Sequence, residues 1–101
     1  MKKLLLLFIT FHSLYGDNID LDENEINYLK NKKVITMCVD PDWEPFEKIN
    51  RNGIHEGISA DIIKLISDKL NIKIELINTK TWDESIAFSK EIKCDILSFL
   101  N

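Results

Sequence analysis

Five consecutive segments of this chain switch between the two-residue period of a strand and the 3.6-residue period of a helix. That order constrains the fold more than any single motif. Val34–Val39 is a short apolar run suited to the inside of a sheet, and Ile72–Ile77 sets Ile72, Ile74 and Leu76 on one side, as a strand does. Between them, Ala60–Leu70 carries Ile62, Ile63, Leu65, Ile66 and Leu70 at helical spacing; these five are its expected buried face. Thr81 opens a further helix to about Glu91, and residues 94–100 read as a third strand. Strand, helix, strand, helix, strand predicts an α/β fold: a parallel sheet with right-handed crossovers.

Local signals agree. Asp22, with Glu25 at the N3 position, is expected to cap a helix to about Asn31, with Leu21 and Ile26 placed for a hydrophobic staple. Lys30, Lys32 and Lys33 lie where cations complement its dipole. Ser59 is the expected cap of the second helix, and Asn71 fits a left-handed stop. Thr81-Trp82-Asp83-Glu84 reads as a capping box on the third. Phe46–Ile49 and Ile54–Glu56 flank Asn50-Arg51-Asn52-Gly53, a small hairpin insertion with Gly53 at a positive φ.

The ends bear on compartment. Lys2 and Lys3 followed by the apolar run Leu4–Phe11 predict an export signal over residues 1–16, with Gly16 suited to cleavage; the run is too short to span a bilayer. Removing Lys2 and Lys3 from 13 basic residues leaves 11 against 17 acidic ones, a net charge near −6. No basic stripe remains, which argues against nucleic acid as a partner. Residues 17–33 form a polar lead and helix, and residues 34–101 the remaining domain. The strand-like run Asp95–Asn101 ends without a cap or turn, as though the chain were cut short. Cys38 and Cys94 are the two cysteines. If Cys94 begins the third strand and Cys38 ends the first, they are too far apart to bond, and buried thiols are expected.

An open parallel sheet binds ligands beyond the carboxyl ends of its strands. Three segments reach that edge: Asp40–Phe46, Asn78–Trp82 and Ser98–Asn101. Trp43, between Pro41 and Pro45, and Trp82 therefore converge on one rim. The prolines stiffen the loop, so an indole held there would lose little entropy when it meets a ligand. The same residues also fit a second reading, in which Trp43 and Phe46 cover the core and Asp40 caps a turn; Phe46 suits that one. Other chemistry finds little support. His55 stands alone on the hairpin as an expected solvated residue, so no metal site is read. Asp40, Asp42 and Glu44 fit a solvated acidic loop better than a catalytic pair. The serines lack a histidine motif, and Gly53–Gly57 is not a phosphate loop.

Val39-Asp40-Pro41-Asp42-Trp43-Glu44-Pro45-Phe46, then Gly53, Glu56-Gly57-Ile58-Ser59-Ala60-Asp61, Trp82-Asp83 and Cys94-Asp95-Ile96-Leu97, resembles the bacterial extracellular solute-binding proteins of family 3. The resemblance implies a periplasmic binding protein-like fold, of which this chain would be a partial first lobe. It implies extracytoplasmic binding of a small polar, amino acid-like solute, without catalysis or cofactor, for an ABC transporter permease or a fused membrane signalling module. Asp40, Trp43, Trp82, Ser98 and Asn101 would line the wall. Ser98-Phe99-Leu100-Asn101 replaces the serine run common in amino-acid binders. The Leu21–Lys33 segment resembles the leading helix of members fused to sensor kinases or diguanylate cyclases. Relatives also include cyclohexadienyl dehydratases and lytic transglycosylases, so an enzyme-fused form and an inactive truncated product are the alternatives. One wall alone should bind weakly, with no millimolar response to amino acids.

Overall fold

A computed structural model describes residues 19–99; the expected signal (residues 1–16) and Asn101 lie outside the described residues. The elements are α1 (Glu23–Lys32), β1 (Val34–Cys38), β2 (Asp42–Trp43), β3 (Glu47–Ile49), β4 (His55–Glu56), α2 (Ile58–Leu70), β5 (Lys73–Leu76), α3 (Trp82–Lys90) and β6 (Ile96–Leu97). β1 is the centre of a parallel sheet ordered β5-β1-β6. Val34 lies opposite Lys73 and Met37 opposite Leu76, while Met37 and Cys38 pair with Ile96 and Leu97 on the other side. The predicted β-α-β-α-β order is therefore present.

The hairpin is larger than the sequence suggests. β2 forms inside the Asp40–Phe46 loop and adds a third antiparallel strand, with Asp42 opposite Lys48 and Trp43 opposite Glu47. Lys48–Glu56 and Ile49–His55 continue the pairing into β4. Asn50 Oδ1 accepts from the amides of Asn52 and Ile54 at 2.8 and 3.0 Å, and Gly53 takes the positive φ of 76° expected of it.

Several helix ends follow their signals and two do not. The Asp22–Glu25 capping box is complete: the Glu25 amide donates to Asp22 at 2.8 Å and the Asp22 amide to Glu25 at 3.2 Å. Asn71 closes α2 in the left-handed conformation. Ser59, however, does not cap α2. Gly57 holds that position at φ 108°, and the amides of Ile58 and Ser59 donate to the carbonyls of Pro45 and Phe46 at 3.4 and 2.9 Å. The hairpin backbone thus takes over the capping role, which leaves Ser59 buried in the first turn. Thr81 accepts from the Glu84 amide at 3.0 Å, but Glu84 reaches the Lys80 amide, at 3.3 Å, so the expected reciprocal box is half formed.

The third strand is two residues long, not seven, and this corrects the cysteine reading. After α3 the chain turns through Ile92 at φ 59°, and pairing with β1 begins at Ile96. Cys94 precedes the strand instead of opening it. It therefore approaches β1 off the ladder, with its Cα 5.8 Å from that of Cys38, and the two form a disulfide. The buried face of α2 is also narrower than periodicity implies: Ile62 and Leu65 are exposed, and Ile63, Ile66 and Leu70 are half-buried. Short strands cover only a narrow band of helix, and a cleft of about 340 Å³ lined by Met37, Ala60, Ile63, Ile74 and Leu76 remains between them.

At the amino edge of the sheet, Asp95 gathers α1 and β1. Its Oδ2 accepts from the Thr36 amide at 2.9 Å and the Thr36 hydroxyl at 3.0 Å, and Lys32 pairs with Oδ1 at 3.0 Å. The Thr36 amide, then the Lys32 ammonium, hold the Asp95 carboxyl below the usual carboxylate range, and Asp95 raises Lys32 in turn.

Candidate ligand-binding rim

Packing is densest at the carboxyl end of β1. Val39 and Cys38 are fully buried there, together with two polar side chains, Glu47 and Ser85. A strand that stops inside a protein leaves backbone groups without ladder partners, and these must be satisfied otherwise. Ser85, from α3, donates to the Val39 carbonyl at 2.6 Å. The Thr79 hydroxyl lies 2.6 Å from the same Ser85 oxygen. Glu47, from β3, accepts from the Asp40 amide at 2.9 Å. Two flanking elements are thereby fastened to the end of the central strand, and the loops they carry become its rim. Among the described residues no buried side-chain nitrogen or oxygen lacks a partner.

Glu47 is the feature that sequence reasoning missed. It is 0% exposed, and its Oε1 also meets the Ser98 hydroxyl at 2.5 Å and His55 Nε2 at 2.9 Å. Isolated burial of a carboxylate costs several kcal/mol, on the order of what paired hydrogen bonds must offset. Three donors from three segments do so here. His55 is consequently not solvated: its side chain is 8% exposed. The available signal was register. Ile49 faces His55 across β3–β4, which puts Glu47 diagonally opposite His55 on one face of the hairpin.

The site residues read from the sequence fall as follows. Trp43 is half-buried; its ring lies 4.8 Å from that of Phe46 and 5.8 Å, edge-on, from that of Phe99. Phe46 does not cover the core as expected but is 40% exposed, its ring tilted 50° against that of Trp43. Asp40 is buried and its Oδ1 accepts from the Asp42 amide at 3.0 Å, the turn-capping alternative. The Ser98 hydroxyl is engaged by Glu47. Trp82, half-buried, opens α3 three residues before Ser85, which ties that turn to Val39. Glu47 and Phe99 thus join Asp40, Trp43 and Ser98 into one constellation, and the Ser85 bond brings the Trp82 turn to the same edge. Asn101 lies outside the described residues. Among the described residues no group of three or more His, Cys, Asp or Glu is placed to hold a metal ion.

Residues 35–100 match the sequence profile of the bacterial extracellular solute-binding proteins, family 3. The chain belongs to this family. No curated protein matches it. Three solved structures set this family 3 chain in context. The BvgS periplasmic domain of B. pertussis shares its fold, with a TM-score of 0.73 and 23% identity over 81% of this chain and 16% of that one. A mutant of the arginine-bound form of domain 1 from TmArgBP of T. maritima is 26% identical over 71% of this chain and 55% of that one, with a TM-score of 0.58. The ancestral amino acid-binding protein AncCDT-1, a precursor of cyclohexadienyl dehydratase, is 27% identical over 72% of this chain and 32% of that one, with a TM-score of 0.59. The chain spans between 16% and 55% of the lengths of these three proteins. The periplasmic binding protein-like lobe expected from the resemblance is the fold observed, and this chain is a part of it. Among the described residues no helix is long and apolar enough to cross a membrane.

Proposed function

We propose that this family 3 chain supplies one wall of a periplasmic site for a small, polar, amino acid-like solute and performs no catalysis of its own. The observation that carries the reading is the half-buried Trp43, held between Phe46 and Phe99 at the carboxyl edge of the sheet. An indole fixed there offers an apolar face and a cation–π surface to an ammonium or guanidinium, worth about 0.5–2 kcal/mol. Asp42 and Glu44, both exposed beside it, outnumber the one cation that meets them among the described residues, Lys48, whose Nζ lies 3.4 Å from Glu44, and so favour a ligand with a positive group. Membership of an extracellular solute-binding family supports the compartment, and the arginine-bound domain 1 from TmArgBP supports the solute class and the ability of one lobe to hold it. Trp82 and Asp40 complete the wall, with Asp40 acting through the turn it caps.

Delivery to an ABC transporter permease and control of a fused membrane signalling module are the two uses such a lobe serves. The intact capped helix α1, placed ahead of β1, favours the second. The dehydratase reading has one support, the likeness to AncCDT-1. Against it, the fully buried acid of the rim, Glu47, is 0% exposed and already engaged by three donors within the chain.

The test is a titration of the 101-residue chain with L-arginine and a panel of other amino acids, followed through the indole N–H signals of Trp43 and Trp82 by NMR. Because one wall encloses little of a ligand, half-saturation is expected above roughly 1 mM. Saturable shifts at both indoles that vanish in Trp43→Ala support the reading. Shifts confined to surfaces away from the rim, or none with any solute, overturn it.

A further inference from the structure

Glu47 stands in an unusual relation to Trp43. Its backbone lies directly opposite Trp43 in the β2–β3 pairing, and so sets that residue's register. Its side chain receives Ser98, the residue before Phe99, whose ring packs edge-on against Trp43. Its second oxygen receives the amide of Asp40, whose own carboxylate folds the turn into Asp42. One residue therefore touches every segment that seats the Trp43 ring. A carboxylate only accepts, so both Ser98 Oγ and His55 Nε2 donate to Oε1 while the Asp40 amide donates to Oε2. An apolar side chain of similar volume would fill the same space without the cost of desolvating a charge. What it would not supply is a fixed distance between the Asp40 loop and the Ser98 strand end.

We infer that Glu47 is a positioning residue for the aromatic wall: its carboxylate ties the Asp40–Trp43 loop to the Ser98–Phe99 segment and so fixes where the Trp43 ring faces. The inference rests on the reading of this rim as a ligand wall, and it reaches a residue that would never touch the ligand. His55 orients the carboxylate from the hairpin side.

Glu47→Gln keeps the volume but gives one side of the group a donor. The Asp40 amide cannot become an acceptor, so the glutamine oxygen must serve it; its nitrogen then meets Ser98 and His55, which can accept only by turning the hydroxyl and switching the imidazole tautomer, and every bond loses the carboxylate's charge. In a Trp82→Phe chain, where Trp43 is the remaining tryptophan, Glu47→Gln is expected to keep its far-ultraviolet circular dichroism. Trp43 emission should shift to the red and become more open to acrylamide. With Trp82 restored, half-saturation by L-arginine should rise by roughly tenfold, the scale of a lost hydrogen bond to a charged group. Thr36→Val, at the far edge of the sheet, controls for loss of stability alone and should leave the Trp43 spectra as they are. Should Glu47→Gln not fold, His55→Ala removes one donor and is expected to move Trp43 in the same direction by less.

Unchanged Trp43 spectra in a folded Glu47→Gln chain would overturn the inference. So would equal changes in Thr36→Val, which would reduce Glu47 to a general stabiliser. A wild-type chain silent to L-arginine and the other amino acids counts against the binding reading alone, because the Trp43 spectra still decide whether Glu47 positions the wall.

Discussion

Ser85 donates its hydroxyl to the Val39 carbonyl over 2.6 Å, and this bond joins residues 46 positions apart in the chain. It lets α3 begin at the end of the central strand instead of beside it, which is why Trp82 arrives at the rim. Thr79 completes the arrangement: with Ser85 donating to Val39, the Thr79 hydroxyl donates to Ser85.

Ser85→Ala should therefore destabilise the chain by about 1–3 kcal/mol, because the Val39 carbonyl and the Thr79 hydroxyl both lose a buried partner. Urea unfolding should show a lower midpoint at an unchanged slope. A midpoint equal to wild type would mean that water replaces the hydroxyl and that the bond does not anchor α3.

Loss of the Cys38–Cys94 bridge acts mainly on the unfolded chain. The disulfide closes a loop of 56 residues, for which chain-entropy arguments give about 4 kcal/mol. That is a large share of the total for a domain this small. Reductant, or Cys94→Ala, should lower the unfolding midpoint sharply. Identical curves with and without reductant would show that the bridge does not form in solution.

Asp95 sets an acid limit. Its folded pKa is held below the ordinary carboxylate value by the Thr36 amide and Lys32, so at low pH the unfolded chain binds the extra proton. The stability it contributes is full above the ordinary value, near 4, and drains away as pH falls through the lowered one. Asp95→Asn should flatten that acid slope while costing stability at neutral pH. A slope that persists unchanged would place the acid sensitivity elsewhere.

Gly57 admits no side chain. An added Cβ would come within 2.7 Å of the Phe46 carbonyl oxygen and 2.9 Å of the Glu47 Cα, at a φ of 108°. Both obstacles are backbone, so neither yields cheaply. Gly57→Ala is expected to cost at least about 1–3 kcal/mol. It should also disturb Trp43 emission, since the displaced strand carries Glu47. A stable variant with native emission would contradict the close crossing.

Features governed by neighbours in sequence were readable in advance. The Asp22–Glu25 box, the left-handed Asn71, Gly53 in its turn and the β-α-β-α-β order all depend on groups a few residues apart, where spacing is geometry. That the Asp40 loop and Ser98 meet at the carboxyl end of β1 also followed, because strand order dictates which loops share an edge. Apart from the half-formed Thr81–Glu84 box, departures arose where a distant segment intervened. Ser59 had the chemistry of a cap, but carbonyls of the hairpin reached the helix first. Ile62 and Leu65 had the period of a buried face, but periodicity names a stripe and not what covers it.

Local pattern was thus sufficient for which elements form and in what order, since propensity, capping and alternation are properties of short windows of chain. Only the tertiary structure decided that Cys38 meets Cys94, and that Glu47 is buried beneath Asp40, His55 and Ser98. Those contacts join residues up to 56 positions apart, where no spacing rule operates. The Glu47 bond to the Asp40 amide exists because the end of β1 leaves backbone groups that something buried has to satisfy, and Glu47, once buried there, needs the further donors that His55 and Ser98 bring.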